Sequence, residues 1–231
     1  MKADVGLVQA GDGVWVHRVP FRFMGMLQIG TRMTVLRLAD GGVLLHSPVA
    51  IPDELAVVIE ALGRVKWVVA PSLYHHLHAG DAIKRWPDAR LLAPAALRKK
   101  RTDLRIDAHL EDAAPSAWQG IVEPIRIEGS MLEETVLYHR SSKTLVGADL
   151  FENFTTVDDF ATRSYLKLGG VYGQPGWHRL LRVVYRDKKT ARASVERLLG
   201  LDLARIVIAH GDLVTSQPKE TLRKALGFLF D

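Results

Sequence analysis

Apolar residues fall in short runs bounded by charges and turn residues, the pattern of buried strands connected by loops and helices. Thr34-Val35-Leu36-Arg37-Leu38-Ala39, then Asp40-Gly41-Gly42, then Val43-Leu44-Leu45 reads as strand, turn, strand, with the glycines supplying the backbone freedom of a tight hairpin. About a hundred residues later, Thr135-Val136-Leu137-Tyr138-His139 and Lys143-Thr144-Leu145-Val146 repeat the pattern across a turn of similar length. Each hairpin is followed by a helix and a buried strand. In the first half, Pro52-Asp53-Glu54 opens a helix through Leu62, Gly63 stops it, and Val65–Ala70 forms the strand. In the second, a helix from Thr190 through Leu199 is stopped by Gly200 and followed by a strand over Arg205–Ala209.

A duplicated hairpin–helix–strand unit predicts two similar sheets packed face to face with helices outside, a four-layer αββα sandwich of the α/β class. The expectation is one domain over residues 1–231, with halves of about 1–111 and 117–231 joined through Asp112–Ser116. Residues 151–189 break the symmetry. They hold Gly169-Gly170, Gly173, Pro175 and Gly176 among aromatic and basic residues, and read as an insertion over one edge of the sandwich.

The 231 residues are enough to bury a sizeable core without a disulfide or a structural metal. Cysteine is absent, which removes disulfides, thiolate ligands and cysteine nucleophiles together. Met1–Gly6 shows no signal-peptide pattern and no stretch is apolar for long enough to span a bilayer, so a cytoplasmic location is expected, without a membrane partner. The net charge of +5 gathers at Arg98–Arg101 and along Arg179, Arg182, Arg186, Lys188, Lys189 and Arg192. Such a surface favours anionic small-molecule substrates. No aromatic residues interleave with the cations as a single-strand platform requires, so nucleic acid is not expected as a partner.

Three of the nine histidines lie in Tyr74-His75-His76-Leu77-His78, just past the first central strand. The equivalent strand of the second half leads into Ala209-His210-Gly211-Asp212, and the second hairpin runs into Gly147-Ala148-Asp149. If these strand ends converge, His75, His76, Asp149 and His210 supply imidazoles and a carboxylate, the ligand types that zinc or iron takes. Each also has an ordinary structural reading as a cap or a hydrogen-bonding group. His46, after the first hairpin, and His78 are candidates for supporting the ligands.

On these residues the sequence resembles the metallo-β-lactamase-like superfamily along nearly its whole length. That family carries Thr-His-x-His-x-Asp-His after a strand, a later Gly-His, an Asp at a strand end and a final His. Here Ala70-Pro71-Ser72-Leu73-Tyr74-His75-His76 stands in the first motif and Gly129-Ser130 in the second, while Asp149 and His210 fit the last two positions. Pro-Ser-Leu-Tyr-His-His, with His46-Ser47-Pro48, looks like a bacterial subgroup known only as a domain of unknown function. The resemblance implies that the first metal site of the family does not form, and that one zinc or iron per chain is held by His75, His76, Asp149 and His210. It further implies a metal-dependent hydrolase acting on an ester, thioester, lactone or phosphoester. Because His75 stands where the family has its water-orienting carboxylate, Asp81 or Asp212 is the candidate base. The competing expectation is a non-catalytic relative that binds a ligand or a protein.

Overall fold

A computed structural model describes residues 6–231 and builds them around two facing β-sheets. The reading of the N-terminal Met1–Val5 lies outside the described residues. The first sheet contains β1 (Val8–Gly11), β2 (Val14–Val19), β3 (Thr31–Arg37), β4 (Val43–His46), β5 (Val65–Val69), β6 (Arg90–Ala93) and β7 (Ala108–His109), neighbours in that order. The second contains β8 (Val122–Arg126), β9 (Thr135–His139), β10 (Thr144–Val146) and β11 (Arg205–Val207). In each sheet an antiparallel hairpin, β3–β4 or β9–β10, leads to a strand parallel to its second arm, β5 or β11. The crossovers carry α1 (Asp53–Glu60) and, in the second half, the insertion and α5 (Lys188–Leu199). The remaining helices are α2 (Ala79–Arg85), α3 (Leu97–Lys100), α4 (Phe160–Gly169) and α6 (Pro218–Ala225).

The alternation of side chains along each strand divides the core into three slabs. Leu36, Leu44, Trp67 and Val69 of the first sheet meet Leu137, Val146 and Val207 of the second, with Trp118 between them. On the outer face of the first sheet Val35, Leu45 and Val68 pack against Leu55 and Ile59 of α1 and Ala82 of α2. Val136, Leu145 and Ile206 do the same against Val195 and Leu198 of α5 and Leu222 of α6. Both faces of these strands are covered, which is why they read as continuous apolar runs. Each fully buried large side chain contributes roughly 1.5–3 kcal/mol.

The insertion forms its own small cluster. Glu152–Asn153 pairs with Pro175–Gly176, α4 follows, and Phe154, Leu166 and Val171 pack on Leu27 and Ile29 from the loop between β2 and β3. Asp159 caps α4, its carboxylate accepting from the Thr162 N–H at 2.7 Å. The insertion therefore buttresses the segment that precedes β3.

Several element ends differ from the sequence expectation; the first hairpin strand runs Thr31–Arg37 and β5 stops at Val69 rather than Ala70. Helix α1 stops at Glu60 rather than Leu62, with the Gly63 N–H donating to the Glu60 carbonyl and Gly63 at φ +146°. Helix α5 starts at Lys188 because Asp187 caps it through the Thr190 N–H. Strand β11 ends at Val207 rather than Ala209: Arg32 donates to the Ile208 carbonyl and Ala209 N–H turns to Ala148.

Candidate metal centre

The C-terminal ends of β5, β10 and β11 lie together at one end of the sandwich. Beyond β5 the chain is tied at once to the other sheet: the Pro71 carbonyl accepts from Thr135 N–H at 2.9 Å, and Leu73 N–H donates to Leu132 at 3.0 Å. Ser72 Oγ then accepts from the N–H groups of Tyr74 and His75, at 3.2 and 3.1 Å, and folds the turn that presents His75. Beyond β10, the buried carboxylate of Glu134 accepts from the N–H groups of Ala148 and Asp149, at 2.7 and 3.1 Å, and fixes the Asp149 loop. Burial, and then the charge of Asp149, push the Glu134 carboxyl well above its usual range. Beyond β11, Gly211 sits at φ +88° against Asn153, where a Cβ would come within 2.2 Å of the Asn153 carbonyl oxygen. Only glycine fits there, and it seats His210.

Nε2 of His75 and Nε2 of His210 both face Oδ1 of Asp149, at 3.1 and 3.3 Å. The two rings are 5.2 Å apart, and the ligating atoms of the three residues all lie within 4.8 Å of one another. Their side chains are 9%, 8% and 17% exposed for His75, His210 and Asp149, shielded yet open to an entering ion. The far nitrogens are held as well. His210 Nδ1–H donates to the Gly30 carbonyl at 2.6 Å, and His75 Nδ1 lies 2.8 Å from Ser47 Oγ. A carbonyl only accepts, so Nδ1 carries the His210 proton, and in the neutral ring the Nε2 lone pair points at a carboxylate oxygen. Two lone pairs at that separation need a cation between or upon them, either a second imidazole proton or a metal ion. Two imidazole nitrogens and a carboxylate oxygen, each histidine fixed through its other nitrogen, suit zinc or iron. Burial alone would raise the Asp149 carboxyl, but the His75 and His210 rings, when they carry a proton toward it, take it well below the ordinary range.

Residues 13–96 match a family described as a domain of unknown function (DUF4336). No curated protein matches the sequence. Solved structures match almost end to end. A metallo-β-lactamase from Pontibacter korlensis is 16% identical, with 98% of this chain and 99% of that one covered at a TM-score of 0.68. FIM-1 from Pseudomonas aeruginosa, solved in a mono-zinc form, is 13% identical over 96% and 95% at 0.63. The metallo-β-lactamase of Erythrobacter litoralis is 14% identical over 97% and 91% at 0.63. The chain has the metallo-β-lactamase fold.

On the metallo-β-lactamase fold, the sequence candidates separate into two groups. His75, Asp149 and His210 converge, and Pro71 and Leu73 bring no donor side chain to the same loop. His76 stands apart from the trio. It is buried, and Arg101 donates to its Nδ1 at 3.0 Å. Burial, then the charges of Lys100 and Arg101, hold its pKa below the usual histidine value. His46 is fully buried on β4 with Nε2 unpartnered, and burial followed by the His75 charge keeps it neutral, its pKa down at about 3. His78 pairs with Asp81 at 3.3 Å on the first turn of α2. Asp81 borders a surface cavity with Val49, Ile51 and Arg85, and neither residue is among those whose ligating atoms converge. Asp212 accepts from both the N–H, at 3.2 Å, and the hydroxyl of Thr155. Neither proposed base joins the trio.

Several working residues escaped sequence reading. Ser47 sits at φ +54° to reach His75, Gly30 lends only its carbonyl, and Glu134 lies one residue before the recognised hairpin. Arg32 is buried and donates to the carbonyls flanking His210, at Ile208 and Gly211. Glu152 is buried with Oε2 unpartnered, and burial pushes its carboxyl up to about 7, with His210 opposing and Asp149 adding to the shift. An acidic residue inside an apolar run, as in Leu150-Phe151-Glu152, was the available signal.

Proposed function

We propose that this chain is a metal-dependent hydrolase of the cytoplasm that holds one zinc or iron ion through His75, Asp149 and His210. The observation that carries the reading is the convergence of two Nε2 atoms on Asp149 Oδ1 with the opposite ring nitrogens already engaged. The metal, when bound, supplies Lewis acidity and lowers the pKa of water. The chain's own part is orientation: Ser47 and Gly30 set the two rings, Glu134 sets the Asp149 backbone, and Arg32 with Gly211 sets the His210 loop. His76 is assigned to Arg101 rather than to the ion, which leaves three protein ligands and an open coordination position, as in catalytic zinc sites. An ester, thioester, lactone or phosphoester fits this chemistry.

The alternative, a non-catalytic relative, is favoured by one specific observation: Asp81 and Asp212 are both engaged away from the trio. Metal analysis of protein purified without a histidine tag, followed by esterase and phosphodiesterase assays, separates the two. About one ion per chain with hydrolysis abolished by a chelator supports the hydrolase. Hydrolysis that survives metal removal sinks it, and stoichiometric metal without turnover of any tested class supports the non-catalytic reading.

A further inference from the structure

The end of β2 and the short hairpin that follows it carry two arginines, Arg18 and Arg22, that the metal centre does not use. A surface cavity of about 360 Å³ is lined there by Arg18, Phe21, Arg22, Gln28 and Gly30. Its charged and amide side chains offer guanidinium and amide donors, the groups that recognise oxyanions in forked geometry. Neither Arg18 nor Arg22 enters an ion pair among the described residues. Arg18 also lies directly across the β2–β3 ladder from Arg32. Like charges in that position are destabilising unless something offsets them. Arg32 is 6% exposed and its Nε has no hydrogen-bond partner. The carboxylate that acts on Arg32, Asp212, accepts from Thr155, and the one beside Arg22, Asp159, caps α4 and meets Gln28 at 3.4 Å. Three arginines therefore share this corner with two carboxylates, Asp212 acting on Arg32 and Asp159 on Arg22.

We propose that Arg18, Arg22 and Gln28 bind the oxyanion group, carboxylate or phosphate, of a small-molecule ligand beside the metal centre. Gly30 makes the placement specific. It sits at φ +61°, and a Cβ on it would come within 3.1 Å of Arg18 Nε, so glycine lets Arg18 lie across the turn. The carbonyl of the same residue accepts from His210 Nδ1. Arg18 thus packs on the residue whose carbonyl orients a metal ligand. As the anchor for a substrate's anionic end, the site rests on the hydrolase reading; as an anion site it stands without it.

The test is a calorimetric titration of chelator-treated, full-length protein with inorganic phosphate and, separately, with succinate. Removing the metal first keeps the ion from binding either probe. Saturable binding that weakens at least tenfold in Arg18→Gln, further in the Arg18→Gln, Arg22→Gln double variant, and not in Arg64→Gln supports the site. Arg64 is exposed, paired with Asp88, and precedes β5 at the opposite end of the sheet. The tighter of the two probes names the oxyanion. Arg18→Lys, which keeps charge but loses the fork, is expected to fall between wild type and Arg18→Gln. Absence of binding by folded wild-type protein, or equal weakening by Arg18→Gln and Arg64→Gln, overturns the inference. Metal content measured on portions of the same preparations set aside before chelation shows independently whether the metal reading stands.

Discussion

The two ends of the β9–β10 hairpin both hold shielded histidine, one ring at the turn and two at the other end, and they are built on different logic. At the turn end, His139 Nδ1 lies 2.7 Å from Ser142 Oγ, whose hydroxyl donates to Thr144 Oγ1 at 2.8 Å. Donor follows acceptor along this chain, and none of its three groups is a carboxylate. At the other end, beyond β10, two rings converge on one oxygen of Asp149 while their remaining nitrogens are occupied. Acceptors outnumber protons there unless a ring takes up a second proton or a metal ion enters. Buried histidine alone therefore carries no functional message. Convergence on a common point, with the far nitrogen fixed, does.

The largest contrast between the ends is expected in metal binding. His75→Ala or His210→Ala should weaken zinc affinity roughly 100-fold or more, beyond what loss of a supporting partner gives. His139→Ala should leave it unchanged in a chelator competition. Next come the glycines that allow the close approaches. Gly211→Ala places a Cβ 2.2 Å from a backbone oxygen at positive φ, and should cost about 2–3 kcal/mol in urea unfolding. Gly13→Ala, at φ +69°, brings its Cβ to 3.2 Å from the His139 ring and no closer than 3.8 Å to backbone, and should cost about 1 kcal/mol; equal costs would mean that the two ends are equally rigid. Smaller again, Ser47→Ala should weaken zinc binding about tenfold by freeing the His75 ring, while Ser142→Ala should not affect it.

The smallest effect is a pH dependence at the turn end. Burial lowers the His139 pKa in the folded protein, opposed by the Arg37 backbone and the Asp12 charge. The unfolded chain then binds the proton more readily, so this contribution to stability is present above the ordinary histidine value near 6.5 and is lost as pH falls below it. Urea midpoints between pH 7 and 5 should drop more steeply for wild type than for His139→Gln. Parallel curves would show that His139 is protonated equally in both states.

Local pattern made the scaffold legible, and distance hid the supports. The hairpins were readable from Asp40-Gly41-Gly42 and from the repeated Thr-Val-Leu, because turn chemistry and apolar alternation are local. Asp149 and His210 were readable as strand-end residues for the same reason. Which of two adjacent histidines turns toward Asp149 was not, since the Ser72 turn presents His75 while Arg101, 25 residues on, meets His76. The end of β11 moved because Arg32 reaches Ile208 from 176 residues away, and Gly30 meets His210 across 180. Asp81 and Asp212 stand outside the trio, Asp81 beside His78 and Asp212 accepting from Thr155, a partner that no local pattern announces.

The most direct measurement is a crystal structure of the zinc-soaked protein with anomalous data at the zinc edge. One peak bounded by Nε2 of His75, Nε2 of His210 and Oδ1 of Asp149, with His76 still on Arg101, is the predicted result. A peak ligated by His76, or no ion at the trio in protein shown to be folded and exposed to zinc, would contradict the account.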